Sequence, residues 1–492
     1  MGAVCAGLAQ FGEATAIIDA AGTWTYLELD AASDVMAATL MHGGVKTGAV
    51  VATVCPAGRW WLAGTLGVWR AGGTLLPLEA THPPAELRHP ITDSGVTHVL
   101  CTPDTIDLAR QLAAFTQAIV VDVCAAVLSG TSEVLPEVAT DADAMIVYTS
   151  GTTGLPKGVV HTHRSLTAQC VAMVETWGWT SADQILCVLP LHHVHGLVNV
   201  TFTPLTVGAA IEAPGGFDAI ATWERLASGV VTVFMAVPTI YSRLVRTWLD
   251  ADDAAKARWS AGAAALRLMV SGSAALPVST LDQWRDISGH VLLERYGMTE
   301  LGMALGNALD RRVPGHVGWP FPGVDVRIVD EAGSDVGDGE TGELLVRGEQ
   351  VFDRYLNRPD ATEESFADGW FRTGDVARKT PDGYRLLGRA SVDIIKSGGE
   401  KVSALDIEEV FRTHPAVEDC AVVGLPDDEW GERVAMAWVA EKASLPTDSE
   451  FRAWGKERLA PAKVPFFYLR IDSLPRNAMG KVTKTAVRDL FS

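Results

Sequence analysis

The sequence has 492 residues, of which 48% are hydrophobic and 20% are charged. These proportions are typical of a globular protein and exclude a largely disordered chain. At about 150 residues per domain, the length suggests three structural units. Sixty acidic against forty basic side chains give a net charge of −20. That charge argues against a general nucleic-acid binder, because a phosphate backbone requires a basic surface, and it disfavours anionic membrane surfaces.

Two further sequence features concern the compartment. No apolar run reaches the roughly 18 residues that a membrane-spanning helix needs, and the first residues lack the pattern of a signal or transit peptide. The seven cysteines are scattered and form no CxxC pair, which is typical of reduced thiols rather than a disulfide framework or a zinc site. We therefore expect a cytoplasmic protein, with the mitochondrial matrix as the alternative.

The first 310 residues predict strands that alternate with helices. A helical pattern covers Tyr26–His42. Apolar runs predict strands at Ala49–Val54, Thr74–Pro77, His98–Cys101, Ala144–Tyr148, Gln184–Leu189, Val230–Ala236 and Leu266–Ser271. This alternation predicts an α/β fold with parallel sheets that carry helices on both faces.

The pattern changes after about residue 311. Short β-like segments punctuated by glycine and proline, such as Val324–Val329 and Glu343–Val346, predict a small β-barrel or sandwich. Beyond Gly388 a compact αβ unit is expected. Its predicted elements are helices at Ile407–Arg412 and Thr447–Leu459 and strands at Ala421–Gly424 and Ala435–Glu441. We therefore predict a large N-terminal domain over residues 1–388 and a small α+β C-terminal domain over residues 389–492.

The most distinctive segment is a loop rich in glycine and hydroxyl groups between Tyr148 and Gly158. It follows an apolar strand and precedes a helical stretch. Glycine permits close approach of backbone amides to a polyphosphate, and hydroxyls and a lysine add donors and charge. The candidate phosphate-binding residues are Thr149, Ser150, Gly151, Thr152, Thr153, Gly154 and Lys157. The loop is not a Walker A motif, because Pro156 precedes the lysine and Gly158 follows it.

Four further motifs follow in order: Tyr296-Gly-Met-Thr-Glu300, Thr373-Gly-Asp375, Gly388-Arg389 and Pro475-Arg-Asn-Ala-Met-Gly-Lys481. Together with the loop, they resemble the motifs of the adenylate-forming superfamily, which contains acyl-CoA synthetases, peptide-synthetase adenylation domains and luciferases. The resemblance covers nearly the whole chain. It implies that a carboxylate attacks the α-phosphorus of ATP and that a thiol then displaces AMP. It also implies that the mobile C-terminal domain rotates between the two half-reactions.

The resemblance assigns roles to single residues. Glu300 is expected to bind Mg²⁺, which favours one or two protein carboxylates together with phosphate oxygens. Thr299 is expected at the α-phosphate and Lys481 between the carboxylate and that phosphate. Asp375 is expected at the ribose hydroxyls, and Arg389 beside the ribose or the phosphates. Further expected nucleotide-binding residues are Ser271, Gly272, Ser273, Glu294, Arg295, Tyr296 and Gly297, and those expected to bind coenzyme A are Ser397, Gly398, Gly399 and Lys401. The hinge departs from many relatives by having Ala390-Ser391-Val392 after Arg389.

Residues of the expected acyl pocket narrow the choice of acid substrate. His193 and His195 lie in the pocket motif, with His193 also a catalytic candidate, and Met298 is a further candidate pocket residue. Arg267 is expected to bind the second carboxylate of a short diacid, since a buried arginine requires an anionic partner. An internal salt bridge is the open alternative for Arg267. The segments Leu293–Glu300 and Arg312–Gly315 resemble malonyl-CoA synthetases, and Ser391–Ala404 resembles their mitochondrial members.

The expected activity is therefore an ATP-dependent, Mg²⁺-dependent ligation of malonate to coenzyme A. A methyl group changes discrimination by only about 1–3 kcal/mol, so the sequence does not separate malonate from methylmalonate. The alternatives are a ligase for a short or medium-chain monocarboxylate, an amino-acid adenylation domain, and a catalytically silent scaffold. The expected partners are the dicarboxylate, ATP and coenzyme A, with the chain a monomer or weak homodimer.

Overall fold

The computed structural model describes residues 4–130, 132–149, 155–397, 400–427, 430–440, 446–476 and 481–491. The strands in this part of the chain are β1 (Thr15–Asp19), β2 (Gly22–Thr25), β3 (Val50–Thr53), β4 (Thr74–Pro77), β5 (His98–Cys101), β6 (Ile119–Asp122), β7 (Asp143–Thr149), β8 (Lys157–Thr162), β9 (Gln184–Leu186), β10 (Ala210–Glu212), β11 (Val233–Ala236), β12 (Leu268–Ser271), β13 (Leu293–Met298), β14 (Gly302–Gly306), β15 (Trp319–Pro320), β16 (Val324–Val329), β17 (Thr341–Gly348), β18 (Arg354–Tyr355), β19 (Phe366–Ala367), β20 (Trp370–Thr380), β21 (Gly383–Arg389), β22 (Ile394–Ser397), β23 (Glu400–Ser403), β24 (Val417–Asp427), β25 (Gly431–Ala440) and β26 (Phe467–Arg470).

Fifteen α-helices and one π-helix lie in the described part of the chain. They are α1 (Tyr26–His42), α2 (Arg59–Arg70), α3 (Pro84–Asp93), α4 (Ile106–Ala113), α5 (Val123–Leu128), α6 (His163–Trp177), the π-helix (His195–Phe202), α7 (Thr203–Val207), α8 (Ala219–Leu226), α9 (Pro238–Asp250), α10 (Asp253–Ala265), α11 (Val278–Ser288), α12 (Pro359–Glu364), α13 (Ala404–Arg412), α14 (Asp448–Lys456) and α15 (Lys484–Asp489). Among these helices, none has both the length and the apolar character needed to cross a membrane.

Two large sheets form the body of the molecule. One has seven strands in the order β18-β8-β7-β4-β3-β5-β6, and the other has nine in the order β15-β14-β13-β12-β11-β9-β10-β1-β2. The neighbours β7, β4, β3, β5 and β6 run parallel, as do β13, β12, β11, β9, β10 and β1. The predicted parallel α/β arrangement is confirmed. Antiparallel strands occur at the sheet margins, where hairpins need only short connections.

Two smaller sheets follow. A five-stranded antiparallel sheet of β16, β17, β19, β20 and β21 lies where the small β-barrel was predicted. The last sheet has the order β23-β22-β25-β24, with β26 added in parallel to β25. The C-terminal residues have apolar cores of their own, built around side chains such as Phe411, Phe451 and Val487. A separate core is what allows such a unit to move as a body.

Local signals explain why several elements begin where predicted. Thr25 and Glu28 form a reciprocal capping box at the start of α1, since Thr25 Oγ1 accepts from the Glu28 amide and Glu28 Oε2 accepts from the Thr25 amide. Such a cap stabilises a helix by about 1 kcal/mol. The strands β4, β5 and β16 have the predicted bounds. Most other predicted strands are confirmed with ends that differ by one to three residues.

Candidate active site

The candidate site lies at the carboxyl ends of the parallel strands in both large sheets. The loops after β4 and β7 come from the seven-stranded sheet, and those after β9, β12 and β13 come from the nine-stranded sheet. Open α/β sheets bind ligands at this edge, because every loop there follows a strand that holds it in place. Predicted site residues such as Ser273, His193 and Glu300 lie on these loops, and Arg295 and Tyr296 lie on β13 itself.

The hydroxyl-rich loop closes a hairpin rather than joining a strand to a helix. Its ends, Thr149 and Lys157, are paired residues of the antiparallel strands β7 and β8, and α6 begins only after β8. A helix N-terminus therefore does not follow the loop directly. The predicted phosphate-binding residues Ser150, Gly151, Thr152, Thr153 and Gly154 lie outside the described residues.

Lys157 connects the hairpin to the predicted magnesium carboxylate. Its ammonium group lies 3.9 Å from the ring centroid of Tyr355, and the Tyr355 hydroxyl donates to Glu300 Oε1 at 2.9 Å. Burial raises the pKa of Glu300, which is 6% exposed. A buried carboxylate with a neutral hydroxyl partner is suited to receive a cation. Tyr355 was not predicted, because an aromatic residue in a short strand has no distinctive sequence signal.

The loop after β13 is held by a second unpredicted residue. His161 Nε2 donates to the Thr299 carbonyl oxygen at 2.7 Å. Burial lowers the pKa of His161 to about 4, so the ring is neutral at physiological pH. His161 lies on β8 and therefore fixes Thr299 and the adjoining Glu300 relative to the hydroxyl-rich loop.

Asp375 lies between two other predicted nucleotide-binding residues, Tyr296 and Arg389. The Tyr296 hydroxyl donates to Asp375 Oδ2 at 2.6 Å, and Arg389 Nε lies 3.2 Å from Asp375 Oδ1. Burial raises the pKa of Asp375, and the Arg389 charge opposes this shift. The arrangement presents an oriented carboxylate beside an arginine, and it can accept hydrogen bonds from a vicinal diol.

The turn after β12 is shaped by a close approach to Arg295. A Cβ at position 272 would overlap the Arg295 guanidinium, so a larger residue there would displace that side chain. The next residue, Ser273, has a left-handed backbone with φ of 71°, and its Oγ lies 3.2 Å from His195 Nδ1. The structure thus brings the predicted residues Ser273, His195 and Arg295 together.

Arg295 is a buried cation with unsatisfied donors. It is 5% exposed, and its Nε and Nη2 atoms have no hydrogen-bond partner within the described residues. Burial lowers its pKa to about 9. His195 Nε2 is likewise buried without a described partner, and burial followed by the charges of Arg295 and Lys481 lowers the pKa of His195. Buried donors of this kind need an acceptor.

Lys481 reaches the cleft from the C-terminal region. Desolvation there and the positive charges of Arg389 and Arg295 lower its pKa, whereas Asp375 raises it. Its charge also depresses the pKa values of His193 and His195. The structure therefore brings the tail lysine to the carboxyl edge of the N-terminal sheets.

Arg267 does not lie at this site, and its predicted role in substrate binding is wrong. It precedes β12, at the opposite end of the strand from Ser271. Its Nε and Nη2 atoms each lie 2.6 Å from a different oxygen of Asp183, and its Nη1 donates to the Trp177 carbonyl oxygen at 2.8 Å. Asp183 thus supplies the anionic partner that a substrate was expected to supply.

The remaining predicted residues lie around the cleft or on the C-terminal unit. Met298 and Gly297 end β13, and Ser397 ends β22 as a buried residue. Gly398 and Gly399 lie outside the described residues. Lys401 Nζ lies 2.7 Å from Oε1 of Glu331, in the turn between β16 and β17, so in this arrangement it holds a protein carboxylate.

Comparisons with known proteins agree with this geometry. The family model described as AMP-binding enzyme matches residues 6–356, and the model of the AMP-binding enzyme C-terminal domain matches residues 406–481. A mitochondrial malonate–CoA ligase of Mus musculus, ACSF3, is 42% identical over 96% of this chain and 88% of the relative. The ATP-bound crystal structure of MatB from Rhodopseudomonas palustris superposes with a TM-score of 0.91 at 33% identity, over 99% of each chain. MenE from Bacillus subtilis, solved with ATP and magnesium, gives 0.86 at 28% identity over 99% of each chain.

Proposed function

The chain belongs to the AMP-binding enzyme family, and on this premise we propose that it ligates malonate to coenzyme A at the expense of ATP. In the first half-reaction, a malonate carboxylate oxygen attacks the α-phosphorus and pyrophosphate leaves. In the second, the coenzyme A thiol attacks the acyl carbon of malonyl-adenylate, and AMP leaves. The relatives at about 40% identity that are named malonate–CoA ligases support this choice of acid.

The observation that carries the proposal is the buried guanidinium of Arg295, whose Nε and Nη2 have no hydrogen-bond partner within the described part of the chain. Leaving a charged donor buried and unsatisfied is costly, so an anionic ligand that completes its hydrogen bonds gains binding free energy. A planar guanidinium holds a carboxylate by two parallel hydrogen bonds. Malonate has a second carboxylate that takes no part in adenylation. We therefore reassign Arg295 from the nucleotide to the free carboxylate of the acid, the role first expected of Arg267.

Lys481 provides the charge that adenylation needs. The attacking carboxylate and the α-phosphate are both anions, and a positioned ammonium group stabilises the charge that shifts between their oxygens. The lysine is near Arg295, His193 and His195, as their mutual effects on pKa indicate. Holding both anions together converts much of the entropic cost of the encounter into binding.

The carboxylate of Glu300 fits a role in binding magnesium. Within the described residues, no group of three or more acidic, histidine or cysteine side chains could hold a metal ion alone, which agrees with a cation held largely by phosphate oxygens. When bound, Mg²⁺ neutralises phosphate charge. Tyr355 orients the Glu300 carboxylate, and His161 fixes the adjoining backbone.

The thioester half-reaction requires the C-terminal unit to leave this arrangement. Among the contacts that hold the unit here are the Lys401–Glu331 ion pair and the hydrogen bond from the Val278 amide to Glu409 Oε1 at 3.0 Å. Both connect residues after 389 to residues before 388, the predicted domain boundary. Rotation would break both contacts and move Lys481 out of the cleft. Lys401 would then be released from Glu331 and could bind coenzyme A, the role predicted for it together with Ser397, Gly398 and Gly399.

The test is ATP–pyrophosphate exchange with malonate, methylmalonate, succinate, acetate and octanoate, followed by detection of the thioester when coenzyme A is added. The highest kcat/KM is expected with malonate or methylmalonate, and AMP should form in proportion to the thioester. A higher value with acetate or octanoate would instead assign a monocarboxylate ligase. Absence of exchange with every acid would favour a silent scaffold.

Assembly and compartment form part of the same proposal. We expect a monomer or weak homodimer, to be measured by light scattering over a range of protein concentrations. We expect the enzyme in the cytoplasm or the mitochondrial matrix, to be decided by locating the tagged protein in its own cells.

A further inference from the structure

A second cluster of titratable side chains adjoins the acid-binding pocket and is not used in the proposed chemistry. It consists of Glu79 and His82, on the loop between β4 and α3, and His192, on the loop after β9. The two loops belong to different sheets. The cluster therefore connects the seven-stranded and nine-stranded sheets next to His193.

Glu79 is fixed by its own loop and points to the other. Its Oε1 accepts from the Thr81 amide at 3.2 Å and from the Thr81 hydroxyl at 3.1 Å. Its Oε2 lies 3.0 Å from His192 Nδ1, and the side chains of Glu79 and His192 are only 23% and 15% exposed. The contact with His192 lowers the pKa of Glu79 to about 2, so the carboxylate is an anion throughout the physiological range.

His192, held by Glu79, packs in turn against His193. The two imidazole rings pack with centroids 3.9 Å apart, and His82 meets the other side of His192 edge-on at 5.4 Å. His193 is in turn within the field of Lys481, and desolvation lowers the pKa of His193 to about 3. His193 is therefore a neutral ring held between the partly buried His192 and the catalytic cleft.

The charge of Glu79 poses a problem that His192 solves. An anion near a pocket for a dianion repels the substrate unless a donor faces it. The imidazole of His192 faces the carboxylate there, with Nδ1 3.0 Å from Glu79 Oε2. A carboxylate in close contact with one imidazole nitrogen also restricts the orientation of the ring.

We infer that Glu79, acting through His192, is a positioning residue that holds His193 at the acid pocket, and that His192 shields the substrate from the Glu79 charge. This inference rests on the proposed function. It predicts that the same substitution at Glu79 has opposite effects in two backgrounds. With His192 present, Glu79→Gln weakens the anchor. With His192→Phe, which keeps a ring against His193 but removes the imidazole nitrogen that faces Glu79, Glu79→Gln removes an unshielded charge.

The experiment is a double-mutant cycle of Glu79→Gln and His192→Phe, read out by the KM for malonate and the kcat of ATP–pyrophosphate exchange. Neighbouring residues couple strongly enough to change an equilibrium several-fold. We expect Glu79→Gln alone to raise the malonate KM about five- to tenfold with kcat within about twofold, the pattern of lost ground-state binding. In the His192→Phe background it should lower the malonate KM. A merely structural role would change both backgrounds in the same direction.

A matched control is available elsewhere on the molecule. His42 Nε2 lies 3.0 Å from Glu133 Oε2, with both side chains exposed and remote from the cleft. Glu133→Gln removes the same type of contact and should leave the malonate KM unchanged. If Glu79→Gln does not fold, Thr81→Val removes one donor to Glu79 and should raise the malonate KM in the same direction by a smaller factor.

The wild-type enzyme is measured first against the acid panel. Lack of malonate turnover there rejects the proposed function, and the cycle is then performed with the acid that the enzyme does activate. The positioning role would be overturned if Glu79→Gln changed the KM for the acid by the same factor with and without His192, or if it left that KM unaltered.

Discussion

Two arginines beside neighbouring strands show how the two edges of the nine-stranded sheet differ. Arg267, at the amino edge, is held by both oxygens of Asp183. Arg295, toward the carboxyl edge, is more deeply buried, yet its Nε and Nη2 find no partner among the described residues. The arginine at the amino edge therefore has its hydrogen bonds satisfied by the protein, whereas two donors of the arginine toward the carboxyl edge lack a partner among the described residues.

The contrast shows which property separates a structural arginine from a binding one. Burial alone would rank both as candidates for an anionic ligand. Asp183 is itself tied into the fold, since it accepts from Thr232 Oγ1 at 2.8 Å and from the Thr180 amide at 2.9 Å. Burial raises and the Arg267 hydrogen bonds lower the pKa of Asp183, with a net decrease. The unsatisfied donors of Arg295, rather than its burial, are the reason we propose that substrate binds at the carboxyl edge.

The largest loss of activity is expected on substitution of Lys481, the cation that the C-terminal unit brings to the carboxyl edge. Lys481→Ala should reduce ATP–pyrophosphate exchange at least about 10³-fold, the upper range for loss of one group that stabilises developing charge. Thioester formation from supplied malonyl-adenylate and coenzyme A should fall only a few-fold, because the adenylate already exists. Measuring both half-reactions with one preparation provides the internal control. Equal losses in the two would contradict the role assigned to Lys481.

Arg295→Ala tests whether the carboxyl edge binds the free carboxylate of the acid. The kcat/KM for malonate should fall about 10²- to 10³-fold, since the free carboxylate loses a bidentate partner. Residual turnover of acetate, which has no second carboxylate, should change less than about tenfold. The informative quantity is the ratio of the two losses. If malonate and acetate fall together, Arg295 serves the nucleotide, as the sequence motif first suggested.

Arg267→Ala tests the opposite edge and should mainly affect stability. Removing one partner leaves the Asp183 carboxylate, whose side chain is 3% exposed, without its cation. Partial exposure of Arg267 moderates the loss, which we expect to be about 3 kcal/mol in the free energy of unfolding by urea titration. The malonate KM of the folded variant should stay within a few-fold of wild type. A malonate-specific loss at unchanged stability would return Arg267 to the substrate.

The sequence predicts features that depend on neighbouring residues. The helix α1 and the strands β4, β5 and β16 have the predicted bounds because apolar periodicity and capping residues lie within each segment. The assignment of Arg267 failed for the converse reason. Its partner Asp183 lies 84 residues earlier in the chain, and no local pattern connects them.

The same limit explains the residues that the motifs missed. Tyr355 orients Glu300 from 55 positions away, and His161 holds the Thr299 carbonyl from 138 positions away. Both come from strands beside the hydroxyl-rich loop, and β8 was itself not predicted. Motifs identify residues that contact substrate, whereas residues that support them are recognised only once the strands are paired.

The smallest effect concerns Glu294, the neighbour of Arg295 on β13. The two side chains point to opposite faces of the strand, and Glu294 Oε1 accepts from the Gly315 amide at 2.7 Å. Burial raises the pKa of Glu294 from 4.5 to about 7. A carboxyl group with a raised folded-state pKa contributes stability below its unfolded pKa and loses it as the pH rises through the folded value. The free energy of unfolding should therefore decline between pH 4.5 and 7 by about 2 kcal/mol more in wild type than in Glu294→Gln, after allowance for partial exposure. Urea titrations of both proteins across this range measure the difference, and parallel curves would place the Glu294 carboxyl in contact with solvent.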